Sequence, residues 1–391
     1  MLPGINKTLA QSITPWYSFI SCAPQTEIKA DMEWINTFRD SEIGKNLAEQ
    51  LKEMKPGPAR IMEVCGTHTV SIAHNGIREL MPPGIELTSG PGCPVCVTDT
   101  SEIDLFINAA RRKDTIITTF GDLIKVPGSS STLKAEKANG ADIRVVYSPL
   151  DAVEIARQNG SEEVVFLGIG FETTTPTIAA AIIQAERSGV HNFSVISAHK
   201  LMPPALEALV ADDEIKIDGL LCPGHVSIII GANAYEPLVA QYGIPCVIAG
   251  FEAVDILHGI LRLVDQIDHH RAEVEISYDR AVYRHANATA LDIMYRVFRP
   301  VPALWRGLGQ IPASGLKIRK EYQEFDAEQK LGLERSQSSQ KTACQCGKVL
   351  KGIINPSQCP LFGTACRPDK PIGPCMVSSE GACAALYRYG R

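Results

Sequence analysis

Six of the chain's twelve cysteines fall within forty residues near its C-terminal end, in the pattern Cys344-x-Cys346-x12-Cys359-Pro360-x5-Cys366-x8-Cys375-x7-Cys383. The segment has no long apolar periodic stretch, so its order must come from cross-links or metal and not from a core of its own. Disulfides would suit a secreted miniprotein. Structural zinc favours closely paired C-x2-C knuckles, which the tail lacks. An iron–sulfur cluster takes four thiolates around a larger inorganic core and tolerates wide spacing, and the spacing here favours it.

At 391 residues the chain has room for two or three domains. Hydrophobic residues make up 45% and charged residues 21%, the balance of a folded globular protein. A net charge of −6 with no basic run argues against nucleic acid or an anionic membrane as a main partner. No stretch approaches the roughly 20 apolar residues of a membrane helix. The apolar patch at Trp16–Ile20 follows Pro15, and residues 1–30 read as a poorly ordered extension without an export signal. Twelve cysteines without such a signal point to a reducing, cytoplasmic setting in which clustered thiols serve metals or redox chemistry.

Ahead of the tail, strand, loop and helix alternate. A helix is expected near Ser41–Glu53, a strand at Arg60–Val64, and then the polar turn Cys65-Gly66-Thr67-His68. The strand Ile85–Thr88 ends at Gly90-Pro91-Gly92-Cys93-Pro94-Val95-Cys96, a helix covers Ser101–Arg112, and the strand Thr115–Thr119 ends at Phe120-Gly121-Asp122. Val164–Leu167 ends at Gly168-Ile169-Gly170-Phe171-Glu172, ahead of a helix over Pro176–Arg187. The alternation predicts an α/β fold with parallel sheets. Short words recur in order: Leu80-Met81-Pro82-Pro83 as Leu201-Met202-Pro203-Pro204, Pro91-Gly92-Cys93 as Pro223-Gly224-His225, and Phe120-Gly121-Asp122 as Phe251-Glu252. They suggest a diverged duplication: two similar α/β domains, residues 31–148 and 149–298, facing a central cleft, with segments free to exchange between them. Residues 299–391 read as a Pro- and Gly-rich linker followed by a small iron–sulfur domain.

Ligand sites in open α/β sheets lie beyond the carboxyl ends of the strands, where these Cys, His and Glu words fall. Cys65, at a helix start, should have a lowered pKa and serve as nucleophile or soft metal ligand, unless it is simply a small buried hydrophobe. His68 is a candidate base or second ligand, or a hydrogen-bonded structural histidine. Cys93 and Cys96 form the chain's C-x2-C pair, suited to dithiol/disulfide exchange or half a metal site. Glu172 could hold a ligand or act as acid/base, or complement a helix dipole. Gly168-Ile169-Gly170 lacks the third glycine of a dinucleotide loop. His199 and His225 follow strand ends and are weaker candidates; Cys222 and Cys246 read as core residues.

The words Cys65-Gly66-Thr67-His68, Gly90 to Cys96, Gly170-Phe171-Glu172-Thr173-Thr174, Cys359-Pro360-Leu361-Phe362-Gly363 and Met376 to Cys383 together resemble the HypD family of hydrogenase maturation factors, over about residues 30 to 391. The resemblance implies a scaffold that builds the Fe(CN)2CO unit of [NiFe]-hydrogenases with a HypC-type chaperone and a HypE-type cyanide donor, for the eventual benefit of the hydrogenase large subunit. It implies that Cys65 holds the nascent iron and that Cys93 and Cys96 are a redox dithiol with His68 and Glu172 nearby. It places a [4Fe–4S] cluster on Cys344, Cys359, Cys366 and Cys383, which leaves Cys346 and Cys375 as a spare thiol pair. A stand-alone iron–sulfur thiol oxidoreductase and a zinc-tail interaction protein are the alternative readings.

Overall fold

A computed structural model describes residues 39–335 and 343–390; the extension expected over residues 1–30 lies outside them. The strands in chain order are β1 Ala59–Glu63, β2 Ile85–Ser89, β3 Thr115–Thr119, β4 Asp142–Val145, β5 Glu163–Gly168, β6 Phe193–Ser197, β7 Gly219–Pro223, β8 Cys246–Ala249, β9 Val274–Ile276, β10 Phe298–Trp305 and β11 Gly309–Ile318. They form a five-stranded sheet ordered β2-β1-β7-β8-β9, a four-stranded sheet ordered β4-β3-β5-β6, and a β10-β11 hairpin. Both larger sheets are parallel throughout. Their inner strands are short apolar or β-branched runs, buried along their whole length in β3, β7 and β8. Only a sheet covered by helices on both faces buries such runs.

The chain leaves the first sheet after β2, builds the whole second sheet, and returns at β7, which pairs directly with β1. The division expected between residues 148 and 149 therefore falls inside the second sheet, where β5 pairs with β3. Neighbours in a parallel sheet are joined by crossovers, so strand adjacency leaves no local trace in the sequence. Two of the three recurring word pairs share a structural place. Pro91 and Pro223 end or follow β2 and β7, and Phe120 and Phe251 follow β3 and β8 into a helical turn. Leu80 closes a short helix ahead of β2, whereas Leu201 caps the start of the helix Met202–Val210.

Residues 298–318 are no linker. They form an antiparallel ribbon whose register shifts between Val301 and Ala303, at Pro302. Each strand of a two-stranded ribbon has a free edge, so prolines cost little there. Its own Phe298, Trp305, Ile311 and Leu316 are buried. The ribbon is tied down by Leu201 N–H donating to the Ser314 carbonyl (2.8 Å) and Arg306 N–H donating to the Val97 carbonyl (2.8 Å).

One ion pair is sealed in the interior. Lys200, just after β6, reaches Glu102 in the helix Thr100–Ala110 through contacts of 2.7 and 2.9 Å, and both side chains are almost wholly buried. Arg335 lies 3.6 Å from the same carboxylate. Removing Lys200 leaves the buried Glu102 carboxylate with only the longer Arg335 contact, at a cost of up to about 3 kcal/mol. Lys200→Met alone should lower the urea midpoint markedly, and Lys200→Met with Glu102→Gln should regain much of the loss; equal midpoints for parent and single variant would contradict a net role for the pair.

Candidate functional site

Cys65 follows β1 and caps the helix Gly66–His74. Its N–H donates to the Glu63 carboxylate (3.3 Å), which also accepts from the Thr69 hydroxyl (2.6 Å). The turn after β2 presses on it from the side. Gly66 N–H donates to the Gly92 carbonyl (3.0 Å), and a Cβ on Gly92 would come within 2.4 Å of the Cys65 Cα. Only glycine permits that approach.

The expected lowering of the Cys65 pKa is reversed. Burial pushes the thiol up to about 12; N–H groups of His68 and Thr67 pull it down, and the nearby carboxylates of Glu380 and Glu63 push it up. Desolvation of a thiolate outweighs one helix terminus. Such a thiol keeps its proton at neutral pH until a cation displaces it.

His68 is fully buried, and its Nε2–H donates to the carbonyls of Gly250 (2.8 Å) and Ala249 (3.3 Å). Two carbonyl acceptors place the proton on Nε2 and leave Nδ1 as an acceptor without a partner among the described residues. Burial holds its pKa down to about 4, so the ring is neutral. Phe251 packs between it (centroids 5.0 Å) and His225 (4.0 Å). His199 lies apart from them, beside β6, with Nδ1 2.9 Å from the Ser197 hydroxyl. Cys222 and Cys246 are fully buried strand residues.

Cys93 and Cys96 form a disulfide at the start of a short helix, Pro94–Val97, with Cα atoms 5.2 Å apart. Glu172 is buried after β5, where its Oε1 accepts from Met202 N–H (2.9 Å), the first N–H of the helix Met202–Val210. The carboxylate thus complements a helix terminus, though of a neighbouring helix. Its Oε2 has no partner among the described residues, and burial raises its pKa to about 7.

The tail meets these groups directly. Thr67 donates its hydroxyl to Glu380 (2.8 Å), and a Cβ on Gly66 would fall 2.5 Å from the Glu380 Cβ. The Ser378 hydroxyl lies 3.3 Å from the Cys93 sulfur and accepts from Glu380 N–H (3.2 Å). Sequence reasoning passed over Glu63, Ser378 and Glu380. The available signals were an acid ending an apolar strand two residues before Cys65, and the polar word Ser378-Ser379-Glu380 between two cysteines.

Cys344, Cys346, Cys359, Cys366 and Cys383 line one small cavity, walled by Val349, Leu361, Phe362 and Met376. Cys375 is fully buried and interacts with Cys346, and both are free thiols. Among the described residues no three Cys, His, Asp or Glu side chains converge closely enough to hold a single metal ion. Five thiols around one cavity are more sulfur donors than a single tetrahedral ion takes.

The HypD family model, described as the hydrogenase formation hypA family, matches residues 42–390. This chain belongs to the HypD family. It is 46% identical over 371 residues to the hydrogenase maturation factor HypD of Rhodobacter capsulatus, covering 92% of this chain and 98% of that one. The HypD of Cupriavidus necator is 46% identical over 370 residues, with the same two shares. That of Escherichia coli is 42% identical over 366 residues, again covering 92% and 98%. The HypD resemblance read from five words thus extends through both sheets, the hairpin and the tail.

Glu172 links stability to pH. Its folded pKa of about 7 exceeds the ordinary 4.5, so the folded state holds the proton more tightly. Its contribution is fully present below pH 4.5 and is lost as pH rises through 7. Measured by urea unfolding, Glu172→Gln should gain on the parent by about 3 kcal/mol between pH 4.5 and 8, with no further gain above that. A pH-independent difference would show that the carboxylate ionises freely in the folded state.

Proposed function

We propose that this HypD-family chain is the scaffold on which, together with a HypC-type chaperone and a HypE-type cyanide donor, the Fe(CN)2CO unit of [NiFe]-hydrogenase is assembled. One observation carries the reading: the segment from Cys375 to Cys383 reaches the Cys65 turn, the Cys93–Cys96 pair and the tail cysteines alike. Ser378 lies against the Cys93 sulfur, Glu380 is bonded beside Cys65, Cys375 meets Cys346, and Cys383 lines the tail cavity. Iron is the substrate. Cys65 supplies one thiolate to it, a soft ligand matched to low-spin iron bearing cyanide and CO, and a chaperone cysteine supplies another. The neutral, fully buried His68 offers Nδ1 as an acceptor at the same helix start, with the Phe251 ring packed against it.

The Cys93–Cys96 disulfide stores two oxidising equivalents. Taking up two electrons and two protons, it gives two thiols, with the Ser378 hydroxyl and the Cys96 N–H (3.2 Å) placed to donate to the Cys93 sulfur. Cys344, Cys359, Cys366 and Cys383 would hold a [4Fe–4S] cluster, which when bound supplies one-electron transfer. Cys346 and Cys375 are the thiol pair beside it. A stand-alone thiol oxidoreductase finds support in the observed disulfide, but the burial of both its sulfurs speaks against direct exchange with a protein substrate.

Anaerobic purification with a HypC-type partner tests the reading. The parent should carry iron, inorganic sulfide and infrared bands of bound cyanide and CO. Cys65→Ala should lose the cyanide and CO bands and keep its sulfide, whereas Cys383→Ala should lose sulfide and visible absorbance. Undiminished cyanide and CO bands in Cys65→Ala would sink the anchoring role, and colourless parent protein rich in zinc would sink the cluster.

A further inference from the structure

The tip of the β10-β11 hairpin rests on the cysteine module. Gly307, at the turn, has a φ of +82°, and a Cβ there would fall 2.2 Å from the Cα of Gly347, the residue after Cys346. The neighbouring Arg306 is held from another side. Its backbone N–H donates to the Val97 carbonyl (2.8 Å), its Nε–H to the Thr98 carbonyl (3.0 Å) and its Nη1–H to the Thr100 hydroxyl (2.9 Å). These acceptors follow Cys96 directly in the chain, so Arg306 is clamped onto the segment that leaves the Cys93–Cys96 disulfide. One arm of the guanidinium is left over: Nη2 is buried and has no partner among the described residues.

Two groups feel this cation. One is the Asp99 carboxylate, which also caps its own helix and accepts from the N–H and the hydroxyl of Ser101 (2.9 and 2.6 Å). The other is Cys344, in the wall of the tail cavity. Its contact with the Cys346 sulfur and its burial oppose ionisation of the thiol, and the charge of Arg306 favours it. The side chains that line the cavity include no cation of their own. Reduction of a thiolate-bound cluster adds one negative charge and makes or breaks no bond. In a water-poor setting a fixed positive charge and an N–H donor stabilise the reduced form, and net charge and hydrogen bonding are the levers that set such potentials.

We propose that Arg306 sets the reduction potential of the tail cluster, its guanidinium charge and its spare Nη2–H stabilising the form produced by a low-potential one-electron donor. The inference rests on the cluster reading above and adds to it a residue that binds no iron. The same side chain is fixed by Thr98 and Thr100, so the charge that eases electron entry is held in place by the segment that follows the dithiol.

The full chain, purified anaerobically with its iron and sulfide, is titrated with dithionite while electron paramagnetic resonance follows the reduced cluster. Arg306→Gln keeps a hydrogen-bonding side chain and removes the charge. With sulfide at the parent level, its one-electron reduction equilibrium should fall by about tenfold or more, a shift of about 59 mV to lower potential. Arg306→Lys restores the charge and should recover most of that shift, which a merely structural role would not do. Parent protein carrying isotopically labelled arginine nitrogen should show, in pulsed spectra of the reduced cluster, a coupling to a guanidinium nitrogen that Arg306→Lys abolishes. That measurement decides even where Arg306→Gln loses its sulfide. Parent protein without sulfide would end the cluster reading itself. A cluster-bearing Arg306→Gln at the parent potential, an Arg306→Lys displaced as far as Arg306→Gln, or a parent spectrum without the nitrogen coupling overturns the role of Arg306 alone.

Discussion

The contact between the tail and the first helix of the chain's β1 unit organises everything that bears chemistry. Thr67 donates to Glu380, and Gly66 lies so close to the Glu380 side chain that no other residue fits. Gly92 clears room on the other flank of Cys65, and a Cβ on Gly381 would collide with the backbone of Cys375. Three glycines thus let three segments of backbone meet at near van der Waals distance. Thiols separated by up to about three hundred residues in sequence become neighbours through backbone packing, without long side chains to bridge the gaps.

A second theme is that burial decides charge state throughout this junction. Cys65 keeps its proton, His68 loses its own, and Glu63 and Glu172 both have folded pKa values raised to about 7. In each case desolvation is the largest cause. A neutral, water-poor setting suits chemistry in which protons and electrons move together, because each transfer avoids leaving a bare charge behind. The buried Lys200–Glu102 pair shows the alternative solution, in which opposite charges are sealed in together.

Much of this was legible in the residues. The helix Ser41–Glu53 and the strand Thr115–Thr119 fall where their cap and β-branched runs place them, and the glycine-flanked Cys words sit at strand ends as parallel-sheet logic requires. Cys344, Cys359, Cys366 and Cys383 do share one cavity, but Cys346, which the spacing set apart from them, lines it too. What stayed hidden was tertiary in origin. Local pattern cannot say that β7 will lie beside β1, that prolines 300, 302 and 312 belong to a ribbon with free edges, or that burial will override a helix terminus at Cys65. Glu380 carried no signal as a neighbour of Cys65, since the two come together only when the tail docks.

The order of the strands also sets an order of assembly. β3 to β6 are contiguous in sequence and complete a sheet among themselves, whereas β1 and β2 have no further partner until β7 arrives more than a hundred residues later. On a chain that emerges from its N-terminus, the inserted sheet can close first while the first pair of strands waits with an open edge. The thiol of Cys65, just after β1, has its full enclosure only when β7 pairs and the tail packs down. The junction needs β1, β2 and the tail together, so it cannot be enclosed until the segment up to Cys383 is available.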